Sequence, residues 1–117
     1  MLKQLQDLVD VIESDEDLKH LEIEIDETCA AVEVVGGLHK YYETFELSCD
    51  TRTKRYDLLI EKPFNRGEML TSVSMQRLIN NEVEFCIYPD RIVFYNVNVT
   101  LEKLIRLLKF LLIAVDR

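Results

Sequence analysis

Residues 82–109 read EVEFCIYPDRIVFYNVNVTLEKLIRLLK. Two runs rich in β-branched and aromatic residues, 82–88 and 91–99, flank Pro89-Asp90. Proline presets φ for a turn and aspartate can bond its own backbone, so the runs are expected to fold back as an antiparallel hairpin. Thr100 then offers a hydroxyl to the free N–H groups of a following helix, and Glu102 puts negative charge in its first turn. From there apolar residues recur at Leu101, Leu104, Ile105, Leu108, Leu112 and Val115, which is the helical period. Strands that pair locally, followed by a helix with an apolar face, point to a sheet with a helical cover.

The rest of the chain extends this pattern. Leu2, Leu5, Leu8, Val9 and Ile12 sit at helical spacing with Asp7, Asp10 and Glu13 between them, which predicts an amphipathic helix ended by Ser14-Asp15-Glu16-Asp17. In LEIEIDE (21–27), Leu21, Ile23 and Ile25 alternate with Glu22, Glu24 and Asp26. That is a half-buried strand with a carboxylate face. Cys29 to Val35 reads as a second strand, or as the first continued past a bulge. Gly36-Gly37 predicts a tight hairpin turn. Residues 38–49 return as a strand with Tyr41, Phe45, Leu47 and Cys49 on one face. After a polar turn at 50–53, Tyr56, Leu58 and Ile60 mark another strand, stopped by Pro63. Val73, Met75, Leu78 and Ile79 suggest a short helix within 69–80. The expected architecture is one α+β domain over 1–117. It holds an antiparallel sheet of about five strands flanked by N-terminal, middle and C-terminal helices, in the order α-βββ-α-ββ-α.

Charge is distributed unevenly. The net charge is −8. Residues 1–27 hold ten carboxylates against two lysines, and the other ninety residues balance to zero. Phosphate binding requires a basic surface, so nucleic acid is not an expected direct partner, nor is an anionic membrane. A protein with a basic or apolar surface fits better. The N-terminus lacks a basic segment followed by an apolar core, and no apolar run is long enough to span a bilayer, so a cytoplasmic location is expected. Asn98-Val99-Thr100 matches the glycosylation sequon, which that location leaves without meaning.

No catalytic motif emerges. Cys29, Cys49 and Cys86 are widely spaced without a CxxC, and read as buried, reduced thiols. His20 and His39 adjoin no cysteine. The glycine pair is a turn, not a phosphate loop. Glu22, Glu24 and Asp26 form a row on one strand, whereas a calcium site needs converging oxygens. No cofactor or metal is expected, and the chain does not read as an enzyme. Arg52, Lys54 and Arg55, with Lys62 and Arg66 further on, form the basic cluster, which reads as a soluble hairpin tip or a contact for an acidic surface.

The final helix raises the question of self-association. Lys103, Arg106 and Lys109 give it a polar stripe over its first half, but 110–115 is wholly apolar. Leu107, Phe110, Leu111, Ile113 and Ala114 are therefore candidates for a homodimer interface, unless the N-terminal helix covers them within one chain.

The stretch NNEVEFCIYPDRIVFYNVNVTLEKLIRLLKFLLIAVD, a hairpin followed by a leucine-rich helix, resembles the corresponding part of class I type III secretion chaperones, as does the overall order of elements. The glycines common in that family's hairpins are missing. The resemblance implies a homodimer that holds client segments on its exposed sheets and helices. The first functional expectation is accordingly a non-catalytic, chaperone- or adaptor-like module holding a partner protein, with Leu21, Ile23, Ile25 and the final helix on the holding surface. The second is a small acidic inhibitor, such as an immunity or phage anti-defence protein. In it Glu13, Asp15, Glu16, Asp17, Glu22 and Glu24 would mimic nucleic-acid phosphates and block a basic groove.

Overall fold

The computed structural model describes residues 1–65 and 70–114, with side chains through Leu112. Arg66, Val115 and the side chains of Ile113 and Ala114 lie outside the described residues. The elements run α1 (Lys3–Ser14), β1 (Glu22–Asp26), β2 (Ala31–Gly36), β3 (Thr44–Asp50), β4 (Arg55–Pro63), α2 (Ser72–Asn80), β5 (Phe85–Ile87), β6 (Arg91–Val99) and α3 (Leu101–Lys109). A π-helical turn, Phe110–Ala114, continues α3. The fold is α+β, with helices at the start, middle and end as expected. Its antiparallel sheet has six strands rather than five, in the order β1-β2-β3-β4-β6-β5. The extra strand comes from the region around Cys29. Residues 27–30 form a turn, so 22–36 make a hairpin and not one bulged strand.

One face of the sheet makes the core. Val32 and Val34, Phe45 and Leu47, Tyr56, Leu58 and Ile60, and Ile92 and Phe94 alternate inward from β2, β3, β4 and β6. Leu5, Leu8, Val9 and Ile12 of α1, Leu78 of α2, and Leu104, Leu107 and Leu108 of α3 complete the same cluster. All three helices therefore cover one side of the sheet. At the start of α1, Gln4 Nε2 donates to the Arg55 carbonyl at 2.7 Å, and the Tyr56 hydroxyl donates to the Gln4 carbonyl at 3.0 Å. Burial pushes the Tyr56 phenol up to about 12, so it stays a neutral donor.

The glycine pair does not form the expected two-residue turn. β2 ends at Gly36 and β3 begins only at Thr44. Tyr41, expected on one strand face with Phe45, Leu47 and Cys49, lies in the connection and is 74% exposed. Gly37 instead has φ +78, and a Cβ there would lie 2.5 Å from the His20 carbonyl oxygen. The glycine serves a close backbone crossing over 20–21.

The predicted hairpin at Pro89-Asp90 joins β5 to β6, and the Thr100 hydroxyl accepts from Lys103 N–H at 3.2 Å, as a helix N-cap. Between them lies a feature the alternation did not announce. Tyr56 pairs with Val99 and Leu58 with Asn96, so β6 has one extra residue there. Asn98 takes φ +57, and Asp57 Oδ1 accepts its N–H at 2.8 Å. This bulge reverses the alternation, turning Val99 inward where Asn98 would otherwise point.

Asn96 is 3% exposed, and both ends of its amide are bonded. Its Oδ1 accepts from Glu84 N–H, and its Nδ2 donates to the Glu82 carbonyl, both at 3.0 Å. It extends the β5–β6 ladder by side chain to a segment that is leaving α2. That segment closes the helix with a left-handed Glu82 (φ +60). Val83 N–H bonds the Leu78 carbonyl and Glu82 N–H bonds the Ile79 carbonyl, and both Val83 and Leu78 are buried.

The final helix answers the question of its apolar flank in part. Leu107 is fully buried and Leu111 is 3% exposed, both inside the core of one chain. They are not free for a dimer contact, which corrects the expectation for those two. Phe110 and Leu112 are half-buried and pack on the same core.

Replacing Asn96 with alanine should cost about 1–2 kcal/mol, since it leaves the part-buried Glu84 N–H and Glu82 carbonyl without their partner. Thr100→Ala should cost about 1 kcal/mol. Urea unfolding at neutral pH checks both, and a loss below half these values for Asn96 would show that water replaces its bonds.

Candidate functional site: the open face of the sheet

Side chains on the uncovered face follow from the register. Glu24 pairs with Glu33, Glu33 with Glu46, Glu46 with Leu59, and Leu59 with Tyr95. This single row crosses from β1 to β6 and changes character halfway. Over β1–β3 it is anionic. Like charges set directly opposite one another on neighbouring strands, about 4.8 Å apart, repel. Among the described residues none of the three glutamates makes an ion pair. No outward position of β1, β2 or β3 carries a lysine or arginine.

Over β4, β6 and β5 the middle of the same face is apolar, with Asp57, Glu61, Arg91 and Glu84 around it. Leu59, Val93, Cys86, Tyr88 and Tyr95 line a shallow groove with Glu84 at its rim. Tyr95 and Tyr88 are each 50% exposed, and Val97 stands exposed beyond them. At one end of the face Arg91 ties the strands together. Its guanidinium lies 2.8 Å from Glu43 and 3.1 Å from Glu61, with Asp90 at 3.4 Å. These acids, Asp90 foremost, raise the Arg91 pKa further, and it remains a fixed cation.

The carboxylates singled out in the sequence divide between the two sides of the molecule. Glu22 and Glu24 belong to the open face at β1. Glu22 lies across Gly36, where a Cβ would collide with its carboxylate. Glu13, Asp15, Glu16 and Asp17 sit at the end of α1, on the covered side. Among these, Asp15 has a structural task. Its Oδ1 accepts Asp17 N–H at 2.9 Å, and its Oδ2 lies 2.7 Å from Lys109 Nζ, with Asp17 at 3.7 Å from the same ammonium. Glu16 pairs with Lys19 at 2.9 Å. The six do not make one continuous acidic surface, and part of their charge is neutralised within the chain. Glu33 and Glu46, which complete the row begun by Glu24, escaped notice because the strands carrying them are adjacent only after folding.

At the β1–β2 turn Asp26 Oδ1 accepts Cys29 N–H at 3.1 Å. That bond, with one from the Cys29 thiol, holds the Asp26 carboxyl below its usual range, and the carboxylate in turn pushes the thiol up. Burial pushes Cys49 up to about 11. Both cysteines are thus disfavoured as thiolates, though Cys29, like Cys86, is exposed rather than buried as expected. Among the described residues no group of three or more His, Cys, Asp or Glu is placed to hold a metal ion. No helix among them is long and apolar enough to cross a membrane. No protein-family model, curated protein or solved structure matches the chain.

The bond from Lys109 holds the Asp15 carboxyl below its ordinary 3.8. A carboxyl whose folded pKa is lowered stabilises the fold above its ordinary pKa, and the contribution disappears as pH falls through the folded value. Lys109→Gln should therefore lower the melting temperature at pH 7, with the gap to the parent chain closing under strongly acid conditions. A gap unchanged by acid would mean that Lys109 acts through its aliphatic stem alone.

Proposed function

We propose that this chain is a non-catalytic protein-binding module of adaptor or chaperone type, holding its partner on the open face of the sheet. The observation that supports this is the row Glu24–Glu33–Glu46–Leu59–Tyr95. Three glutamates that make no ion pair among the described residues adjoin exposed aromatic and aliphatic side chains on one surface. Both halves stabilise the fold less than ordinary alternatives would. Mutual repulsion among the glutamates falls when a cation arrives, and apolar surface gains about 25 cal/mol per Å² when it is covered. The partner that satisfies both is a polypeptide segment with lysine or arginine set beside an apolar anchor. Charge would steer it and the anchor would hold it. The holding surface is thus moved from Leu21, Ile23, Ile25 and the final helix, which face the covered side, to the outward positions of the same sheet.

Selection of displayed random peptides on the immobilised chain tests the reading with a defined probe. Enriched peptides should carry a basic residue next to an aromatic or aliphatic one. Glu33→Gln with Glu46→Gln should weaken the best of them by about tenfold, and more at low salt than at high. Tyr95→Ala should weaken it at every salt concentration. Peptides that respond to the glutamates but not to Tyr95 or Leu59 would favour the acidic-inhibitor reading. Peptides indifferent to all four would remove this face from consideration.

A further inference from the structure

The two edges of the sheet differ. On the β1 side Glu22, Glu24 and Asp26 would set copies of an acidic chain against one another. Residues 85–89 on the β5 side, Phe-Cys-Ile-Tyr-Pro, carry no charge. There Cys86 is exposed, and Ile87 is 47% exposed.

Backbone parity decides what this edge offers. Tyr88 N–H donates to the Arg91 carbonyl at 2.8 Å, and Tyr95 N–H donates to the Glu84 carbonyl at 3.0 Å. Bonded positions alternate along an antiparallel ladder. Residues 84, 86 and 88 therefore bond β6, while Phe85 and Ile87 turn their N–H and C=O groups outward. Among the described residues, no backbone bond from another element reaches either one.

We infer that β5 pairs antiparallel with β5 of a second copy about a two-fold axis at Cys86, joining two sheets into one. The register follows from what each alternative would break. An axis at Ile87 sets Phe85 against Pro89, which has no N–H, and Glu84 against Asp90, a like-charge pair. An axis at Phe85 sets Ile87 against Val83, whose N–H already bonds the Leu78 carbonyl at 3.0 Å. With the axis at Cys86, Phe85 and Ile87 of opposite copies exchange both bonds, and Glu84 faces Tyr88. The apolar halves of the two open faces then adjoin, and the acidic halves lie at the far ends. This pairing stands on the backbone pattern and does not depend on what the open face binds.

Two Cys86 residues in this register face each other with Cα atoms about 4.5 Å apart, within the disulfide range of roughly 4.4–6.8 Å. Diamide, which takes up two electrons and two protons as two thiols become a disulfide, should link them rapidly. Sedimentation of the full chain should give twice 13.8 kDa. The crosslink should vanish in Cys86→Ser and persist in Cys29→Ser. Ile87→Pro deletes an N–H that points away from β6, so the internal ladder remains, and the dimer should dissociate about tenfold more readily or worse. A single-copy mass at every concentration would overturn the inference, as would a crosslink that survives Cys86→Ser. If Ile87→Pro alters the circular dichroism, the mass and crosslink of the parent chain and its cysteine variants decide the question alone.

Discussion

The strand on which the architecture turns is β4. It lies between β3, the end of the N-terminal meander, and β6, the partner brought back by the C-terminal hairpin. Its side chains alternate without interruption. Tyr56, Leu58 and Ile60 point to the helices, and Asp57, Leu59 and Glu61 point away. A one-residue slip against either neighbour would carry the buried set to the open side, so the register is strongly specified. That single constraint sets which outward residues share a row. It places Leu59 between Glu46 and Tyr95, at the point where the open face changes from anionic to apolar.

One-sided covering also explains the polar details at the join with α3. A strand leading straight into a helix must deliver it above the core, and strict alternation in β6 would have sent Asn98 inward. The bulge substitutes Val99. Asp57 on β4 accepts the N–H of the left-handed residue, and Asn96 satisfies the segment leaving α2. Glu82 then bonds Lys103 at 3.1 Å and Arg106 at 3.3 Å on α3. Glu82 holds a conformation that usually favours glycine, and its carboxylate joins the α2–β5 connection to the last helix. Lys103 above all keeps that carboxyl below its usual range. α3 is therefore held at both ends by ion pairs, with Glu82 near its start and Asp15 and Asp17 near its finish.

Much of this was legible in the order of residues. The helical period of α1, the hairpin at Pro89-Asp90, the Thr100 cap and the alternation in 21–27 and 56–60 are local signals, and each marks a real element. What escaped depends on distant parts of the chain. The glycine pair predicts a turn, but a turn and a close backbone crossing call for the same residue type, and only the position of His20 distinguishes them. Leu107 and Leu111 looked available because nothing local shows that α1, α2 and α3 crowd onto one side. The candidate site was half visible. Glu22 and Glu24 were recognised on their strand, but the row they begin with Glu33 and Glu46 is made by pairing across strands. Within the acidic tract, the engagement of Asp15 is not legible locally, because its ion pair comes from Lys109 at the other end of the sequence.

Paired and unpaired charges are distributed unevenly over the molecule. Where acids serve the fold they meet cations: Asp15 with Lys109, Glu82 with α3, Glu43 and Glu61 with Arg91. The chain has fourteen lysines and arginines, and none is placed outward on β1–β3. A cross-strand lysine at position 33 would relieve two repulsions at once. A face that omits so local a remedy keeps the repulsion of its β1–β3 row beside exposed Tyr95 and Tyr88, and relief of both by an arriving segment is what the proposed binding role requires. The two edges differ in the same way. Acidic side chains discourage pairing at β1, while β5 turns uncharged backbone groups outward, and that asymmetry is what the inferred pairing of two copies would use.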